Sequence, residues 1–299
     1  MRALITGAAG FVGGHLWAHA AERGAELVGP SREELDLLDA AAVRRLVAGF
    51  RPEAVFHLAA LASVGQSWSE PAETLDNNMR ATLNLLEAVR AEAPEAVVLA
   101  AGSGEQYGPV AEDRLPVGED EPFRPQNPYA VSKASADLLA GFYADAHGLR
   151  VVRTRAFNHA GPGQSDAYVV AAFARQIAEA ERAGLEELVI ETGNLAPRRD
   201  FTDVRDVVRA YWLAVEQGVP AIYNVCSGVS VPVADILARL ADLTDLRVEQ
   251  RTDPARLRKH EVMDIRGSHE RLTEATGWQP EIALETTLAD TLDWWRNHG

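Results

Sequence analysis

Tyr129 and Lys133 stand four apart in "NPYAVSKASADLL", residues 127–139. On a helix that spacing puts both side chains on one face. The chain holds only two lysines, Lys133 and Lys259, and uses arginine nearly everywhere else. A tyrosine with an ordinary pKa near 10 is a poor acid–base catalyst at neutral pH. A cation one turn away favours the phenolate and lowers that pKa, so the pair reads as a proton-transfer device. The bland alternative is an exposed helix pair, since the spacing is common by chance. Upstream, "AAGSGEQYG" (100–108) carries Ser103, placed to hydrogen-bond a carbonyl oxygen beside the Tyr129 hydroxyl. Glu105 follows two residues on, as a second acid–base group or as a structural carboxylate.

A second constellation sits at the N-terminus. "ITGAAGFVGG" carries Gly7, Gly10 and Gly13 between an apolar run and a helical segment. In that context Gly7 permits a tight turn, Gly10 lets the backbone approach a pyrophosphate, and Gly13 lets the helix pack closely. The helix start offers free N–H groups and a positive dipole end to the phosphates. Together these predict a dinucleotide site. Lys133 can then also hydrogen-bond the cofactor's ribose, where an arginine fork fits poorly. After the second strand the sequence runs "LVGPSREELDLLD", with no acid at the strand end. Ser31 and Arg32 follow it, which favours NADP(H) over NAD(H). The alternative is that Arg32 pairs with Glu33 or Glu34. Asp36 and Leu37 are expected at a later strand end, bordering the adenine.

These residues need a scaffold. Short apolar runs at 3–6, 26–29, 54–60, 96–102 and 150–158 alternate with helical segments at 11–24, 39–50, 72–93 and 129–147. Asp39 is the expected N-cap of its helix. The alternation predicts an α/β fold, a doubly wound parallel (Rossmann) sheet, with the Tyr129 loop at the carboxyl ends of the strands. After residue 160 the pattern changes. A loop (159–168), helix (169–183), strand (187–193), arginine-rich segment (197–209) and strand (221–228) follow, then helix 232–243, strand 246–250, a basic loop 252–260 and helix 284–297. The expected division is a cofactor-binding unit of 1–160 plus roughly 200–228, and a smaller, partly interleaved α/β substrate unit of 161–199 and 229–299.

Composition narrows the classes. Net charge is −15 over 299 residues, which disfavours a phosphate backbone as partner and excludes general nucleic-acid binding. The single cysteine, Cys226, permits no intrachain disulfide and no cysteine metal cluster, and it follows an apolar strand as a core residue would. The histidines show no metal-binding spacing. No window approaches the roughly 18 apolar residues of a membrane span, and no signal-peptide pattern opens the chain. A cytoplasmic protein with no metal and no membrane partner is expected.

TGAAGFVG, DLLD, HLAA (57–60), NNMRAT (77–82), GSGEQYG, YAVSK, RAFNHAGPG (155–163) and RRDFTDVRD (198–206) together resemble the extended short-chain dehydrogenase/reductase family. The resemblance spans most of the chain. It implies a Rossmann domain and a Ser–Tyr–Lys catalytic set, here Ser103, Tyr129 and Lys133, acting on a nucleotide-activated sugar. It implies that Phe11, Val12, Leu58, Ala59, Ala60 and Asn78 border the cofactor. It also implies a homodimer through the helices at 72–93 and 129–147. Within the family, "RAFNHAGPGQ", "YNVCSG" and "DPARLR" look most like the reductases of GDP-linked 4-keto-6-deoxymannose, which form GDP-rhamnose. By that likeness Asn158, Asn194, Arg199 and Arg258 contact the nucleotide sugar. An arginine fork suits a diphosphate, whereas pairing with Asp200, Asp203 and Asp206 is the structural alternative. Leu61-Ala62 replaces the usual Gln-Ser pair, leaving Ser63 as the local hydroxyl. Lys259 stands for a usual proline and Ser268 for a usual aspartate. His159 touches the ligand or caps its loop. The expected chemistry is NAD(P)H-dependent reduction of a 4-keto group. A 4,6-dehydratase or 4-epimerase with recycled cofactor is the alternative, with Glu105 as a candidate base. A non-catalytic nucleotide sensor on the same fold would have little use for the retained tyrosine and lysine.

Overall fold

The computed structural model describes residues 1–217, 220–256 and 262–298, so Arg258 and Lys259 lie outside the described residues. The first half alternates strands and helices: β1 (Arg2–Thr6), α1 (Phe11–Glu22), β2 (Glu26–Val28), α2 (Ala40–Phe50), β3 (Ala54–His57), α3 (Val64–Ser69), α4 (Pro71–Glu92), β4 (Val97–Ser103), α5 (Pro128–His147) and β5 (Arg150–Ala156). The second half holds β6 (Asn158–Ala160), α6 (Val169–Arg182), β7 (Glu187–Thr192), β8 (Arg198–Asp203), α7 (Val204–Glu216), β9 (Ile222–Val225), β10 (Ser230–Pro232), α8 (Val233–Ala241), β11 (Arg247–Thr252), β12 (Asp264–Ile265), α9 (Glu270–Thr276) and α10 (Leu284–His298).

Six strands form one sheet in the order β2-β1-β3-β4-β5-β9, and every neighbouring pair is parallel. Its central strands are near-continuous buried apolar runs, as a sheet covered on both faces demands. One face packs Leu16, Phe56, Leu99, Val207 and Trp278 around α1 and α7. The other packs Leu4, Val43, Leu85, Val98 and Tyr143 beneath α2, α4 and α5. The connection from β2 crosses back over β1 to β3, so the order reverses there. Ligands of such sheets bind outside the carboxyl ends of the strands at this reversal. A third core, with Phe173, Ile177, Ile190, Ile236 and Leu292, lies under α6, α8 and α10. It is flanked by a smaller sheet of β10-β8-β12 with β6 on β8, and by the pair β7 and β11.

Several expectations need correction. The strand foreseen to end at Asp36-Leu37 is absent. Asp36 folds into a turn whose carboxylate accepts the Leu38 N–H at 2.9 Å, and Asn84 binds the Leu37 and Leu38 carbonyls from α4. A short-range Asx turn has outcompeted strand pairing there. α3 lies between the expected strand 54–60 and helix 72–93, where no element was foreseen, and the arginine-rich segment begins as β8. β12 and α9 were not legible in the pattern. Asp39 caps α2 as expected, accepting the Ala41 and Ala42 N–H groups at 3.0 Å each.

Candidate active site

Asn127 starts the helix that carries the tyrosine and lysine. Its side chain accepts the Ala130 N–H at 2.7 Å, and Pro128 occupies the first turn, where a missing N–H costs nothing. Tyr129 and Lys133 then project from one face of α5, as foreseen. Lys133 is 8% exposed and donates from Nζ to the Ala101 carbonyl of β4 at 2.8 Å. Burial lowers its pKa to about 8. One further turn along, buried Asp137 pairs with Arg153 at 3.1 Å and with Arg155 at 3.0 Å, both on β5. Arg155 is itself buried and lies over the Phe123 ring at 4.4 Å. This cluster bolts the reactive face of α5 to the sheet.

Ser103 ends β4 facing Tyr129, and its hydroxyl is a hydrogen-bond partner of the phenol. Ser103 Oγ also accepts the Glu105 N–H at 3.2 Å. The Tyr129 pKa is raised. Burial is the main cause, the Ser103 hydrogen bond opposes it, and nearby Tyr168, Glu105 and Tyr211 add to the rise. This corrects the expectation that Lys133 lowers the phenol. Burial outweighs the effect of the Lys133 cation in this state, and the ammonium, one turn away, is directed at the Ala101 carbonyl. The phenol is held neutral, in the form of a proton donor. Glu105 is exposed and accepts from Asn127 Nδ2 at 3.1 Å, so it steadies the cap of α5 while facing the phenol.

The glycine loop closes a cradle at the end of β1. Gly7 has φ +77°, and a Cβ there would lie 2.9 Å from the Ala59 nitrogen. A Cβ on Gly13 would lie 2.0 Å from the Gly7 carbonyl oxygen, so the helix packs on the glycine turn itself. Gly10 is exposed at the mouth and is the N-cap of α1, with no side chain covering the first turn and no acid in it. That arrangement fits a dinucleotide pyrophosphate. Val12 packs against the sheet core, and the Phe11 ring is stacked on His159 at 6.1 Å between centroids. Beyond β2, Glu34 turns back to accept the Ser31 N–H at 2.8 Å, while Ser31 Oγ accepts the Glu34 N–H. Arg32 is exposed and makes no ion pair among the described residues, so the expected alternative of pairing with Glu33 or Glu34 fails.

Loop 58–61 is held by Asn78. The Asn78 amide accepts the Leu61 N–H at 2.8 Å and donates to the Leu61 carbonyl at 3.2 Å and to Ser132 Oγ at 2.8 Å. Its polar atoms are therefore committed to the protein, tying the loop after β3 to α5. A directional chain runs beneath it. Thr82 Oγ1 donates to the Asn78 carbonyl, so His57 Nε2 donates to Thr82 and His57 Nδ1 accepts from Thr6. Burial, with Lys133 nearby, lowers the His57 pKa to about 3, so the ring is neutral.

The profile of the NAD dependent epimerase/dehydratase family matches residues 3–226. The chain is 41% identical to the GDP-6-deoxy-D-mannose reductase of Pseudomonas aeruginosa over 99% of its length and 97% of that protein. The chain belongs to the NAD dependent epimerase/dehydratase family. Among solved structures, RMD from Pseudomonas aeruginosa complexed with NADPH matches with a TM-score of 0.91 and 39% identity over all of both chains. The UDP-glucose 4-epimerase of Thermus thermophilus in complex with NAD matches with a TM-score of 0.88 and 30% identity, again over the whole of both chains.

In this epimerase/dehydratase chain the foreseen substrate residues are less uniform. Asn158 is exposed at the start of β6, and its side chain has no hydrogen-bond partner among the described residues. Asn194 is exposed and accepts the Ala196 N–H. Arg199 is half-buried on β8 and donates to the Arg198 and Val262 carbonyls at 2.8 Å each. Asp200, Asp203 and Asp206 have other uses. Asp200 accepts from Ser227, Gly228 and Gly267, Asp203 pairs with Arg205, and Asp206 pairs with Arg209. Ser63 Oγ accepts the Gln66 N–H as the cap of α3, a role its sequence context did not reveal. His159 caps its loop, bonding Nδ1 to the Phe157 carbonyl, and Cys226 is fully buried core. Among the described residues there is no candidate metal cluster, and no helix is long and apolar enough to cross a membrane.

Proposed function

We propose that the chain reduces the 4-keto group of a GDP-linked 6-deoxysugar, converting GDP-4-keto-6-deoxy-D-mannose to GDP-D-rhamnose with NADPH. The whole-length likeness to a GDP-6-deoxy-D-mannose reductase, with Ser103, Tyr129 and Lys133 intact, carries this reading. Gly7, Gly10 and Gly13 would hold the pyrophosphate, and Ser31 with the exposed Arg32 would bind a 2′-phosphate, which favours NADP(H). The bound nicotinamide supplies hydride chemistry. Tyr129 Oη donates a proton to the carbonyl oxygen as it gains negative charge. Ser103 Oγ–H donates to the same oxygen, so charge is stabilised where it develops. The Lys133 cation, one turn from Tyr129, stabilises the phenolate left behind. Asn158, Asn194, Arg199 and Arg258 would meet the nucleotide sugar.

The same reading divides the chain into a cofactor unit, 1–160 plus roughly 200–228, and a substrate unit of the remaining segments. It makes the protein a cytoplasmic homodimer paired through α4 and α5. Exposed Met79 and Leu83 on α4, and Val131, Leu138 and Phe142 on α5, form apolar faces suited to that pairing. A second reading, a 4,6-dehydratase or 4-epimerase with recycled cofactor, draws on Glu105 beside the phenol. Purified protein mixed with GDP-4-keto-6-deoxymannose and NADPH separates the two. Stoichiometric loss of nicotinamide absorbance supports the reductase. Turnover of GDP-mannose with no added NADPH would replace it with the dehydratase.

A further inference from the structure

Gln106 is fully buried directly behind Ser103. Its Oε1 accepts the Ser103 backbone N–H at 2.5 Å. The Ser103 side chain in turn caps the short 3₁₀ turn of residues 104–106, so the two residues form a reciprocal capping box. Ser103 Oγ accepts the Glu105 N–H, which leaves its own hydroxyl proton free to be donated on the side where Tyr129 lies.

The glycines on either side make room for this clamp. A Cβ on Gly102 would lie 2.5 Å from Gln106 Oε1, in the space the amide occupies. A Cβ on Gly104 would lie 3.1 Å from the Phe157 ring. The "GSG" around the serine therefore lets the Gln106 amide reach in on one side and lets the turn rest on Phe157 on the other. Gln106 gives the buried Ser103 N–H its acceptor while its own Nε2 has no partner among the described residues, so the side chain is aimed at the Ser103 backbone through its oxygen. A leucine or methionine of similar size would leave the Ser103 N–H without that acceptor, so the amide oxygen is what sets the serine backbone.

We propose that Gln106 is a positioning residue for the reaction: it fixes the Ser103 backbone so that the serine hydroxyl points its proton at the reacting oxygen. This rests on the reductase reading for its kinetic consequence, though the clamp itself can be measured without any substrate. Gln106→Met removes the acceptor at nearly constant volume, and Gln106→Glu keeps it. Amide hydrogen exchange at Ser103 should be slow in the parent and in Gln106→Glu, and faster by at least about tenfold in Gln106→Met. With GDP-4-keto-6-deoxymannose and NADPH, Gln106→Met should lower kcat about 10- to 100-fold with the NADPH KM within about twofold, and Gln106→Glu should recover most of that loss. If the parent does not turn over this sugar, the reductase reading fails while the exchange comparison still decides the clamp. Unchanged Ser103 exchange in Gln106→Met would overturn the proposal. So would an unimpaired kcat in Gln106→Met alongside a crippled Ser103→Ala, or a Gln106→Glu variant as slow as the methionine one.

Discussion

Replacing Lys133 by methionine should stabilise the protein while disabling it. The lysine is 8% exposed, and burial lowers its pKa from 10.5 to about 8. That displacement corresponds to about 3 kcal/mol against the folded state at neutral pH. The hydrogen bond from Nζ to the Ala101 carbonyl returns about 1 kcal/mol, so methionine should gain about 2 kcal/mol at pH 7. The pH dependence has a definite sign. Below about 8 the lysine is protonated in both states and the penalty is fully present. Between about 8 and 10.5 the unfolded chain binds more protons than the folded one, so parent stability rises with pH. The advantage of Lys133→Met should therefore shrink across that window and vanish above it. Urea unfolding at a series of pH values measures the gap, and it should appear beside a near-complete loss of activity. A methionine variant less stable than the parent at pH 7, or a gap that ignores pH, would refute the claim that a costly buried ammonium is kept for chemistry.

Two further predictions concern the cradle and the helix that carries the site. If Arg32 binds the 2′-phosphate as proposed, Arg32→Ala should raise the KM for NADPH roughly 10- to 100-fold and leave that for NADH within about threefold, because only NADPH carries the charge it would meet. Equal changes for both cofactors in steady-state kinetics would sink that assignment. Asp137→Ala should cost about 3 kcal/mol in urea unfolding, since it leaves the buried Arg155 guanidinium without its carboxylate. A loss below about 1 kcal/mol would mean that the cluster does not anchor α5.

What could be read in advance was whatever depends on local spacing. The alternation of apolar runs and helical segments gave the sheet, and the glycine triplet and the Tyr129–Lys133 pair lay where the strand ends required. Long-range choices were not visible. Ser63 looked like a free hydroxyl because nothing nearby announced α3, and Asp36 looked like a strand end because an Asx turn and a strand end share short polar residues. The expected lowering of the Tyr129 pKa is overridden for a different reason. Spacing brings two side chains to one face, but burial and competing acceptors set their charge states, and these come from β4. Gln106 was legible in principle, because Ser103-x-x-Gln106 is a capping-box pattern. Asn78 binds Leu61 and Ser132, 17 and 54 residues away, and only folding reveals such partners.

The most direct measurement follows the hydride and the proton together. NADPH deuterated at the transferring position is incubated with GDP-4-keto-6-deoxymannose and either the parent or Tyr129→Phe, and the product is read by NMR. Deuterium at C4 of GDP-rhamnose with the parent, and a rate at least about a thousandfold lower with the phenylalanine variant, is the predicted result. Label retained in the cofactor while sugar is converted, or a phenylalanine variant as fast as the parent, would contradict proton donation by Tyr129 to a reduced 4-keto sugar.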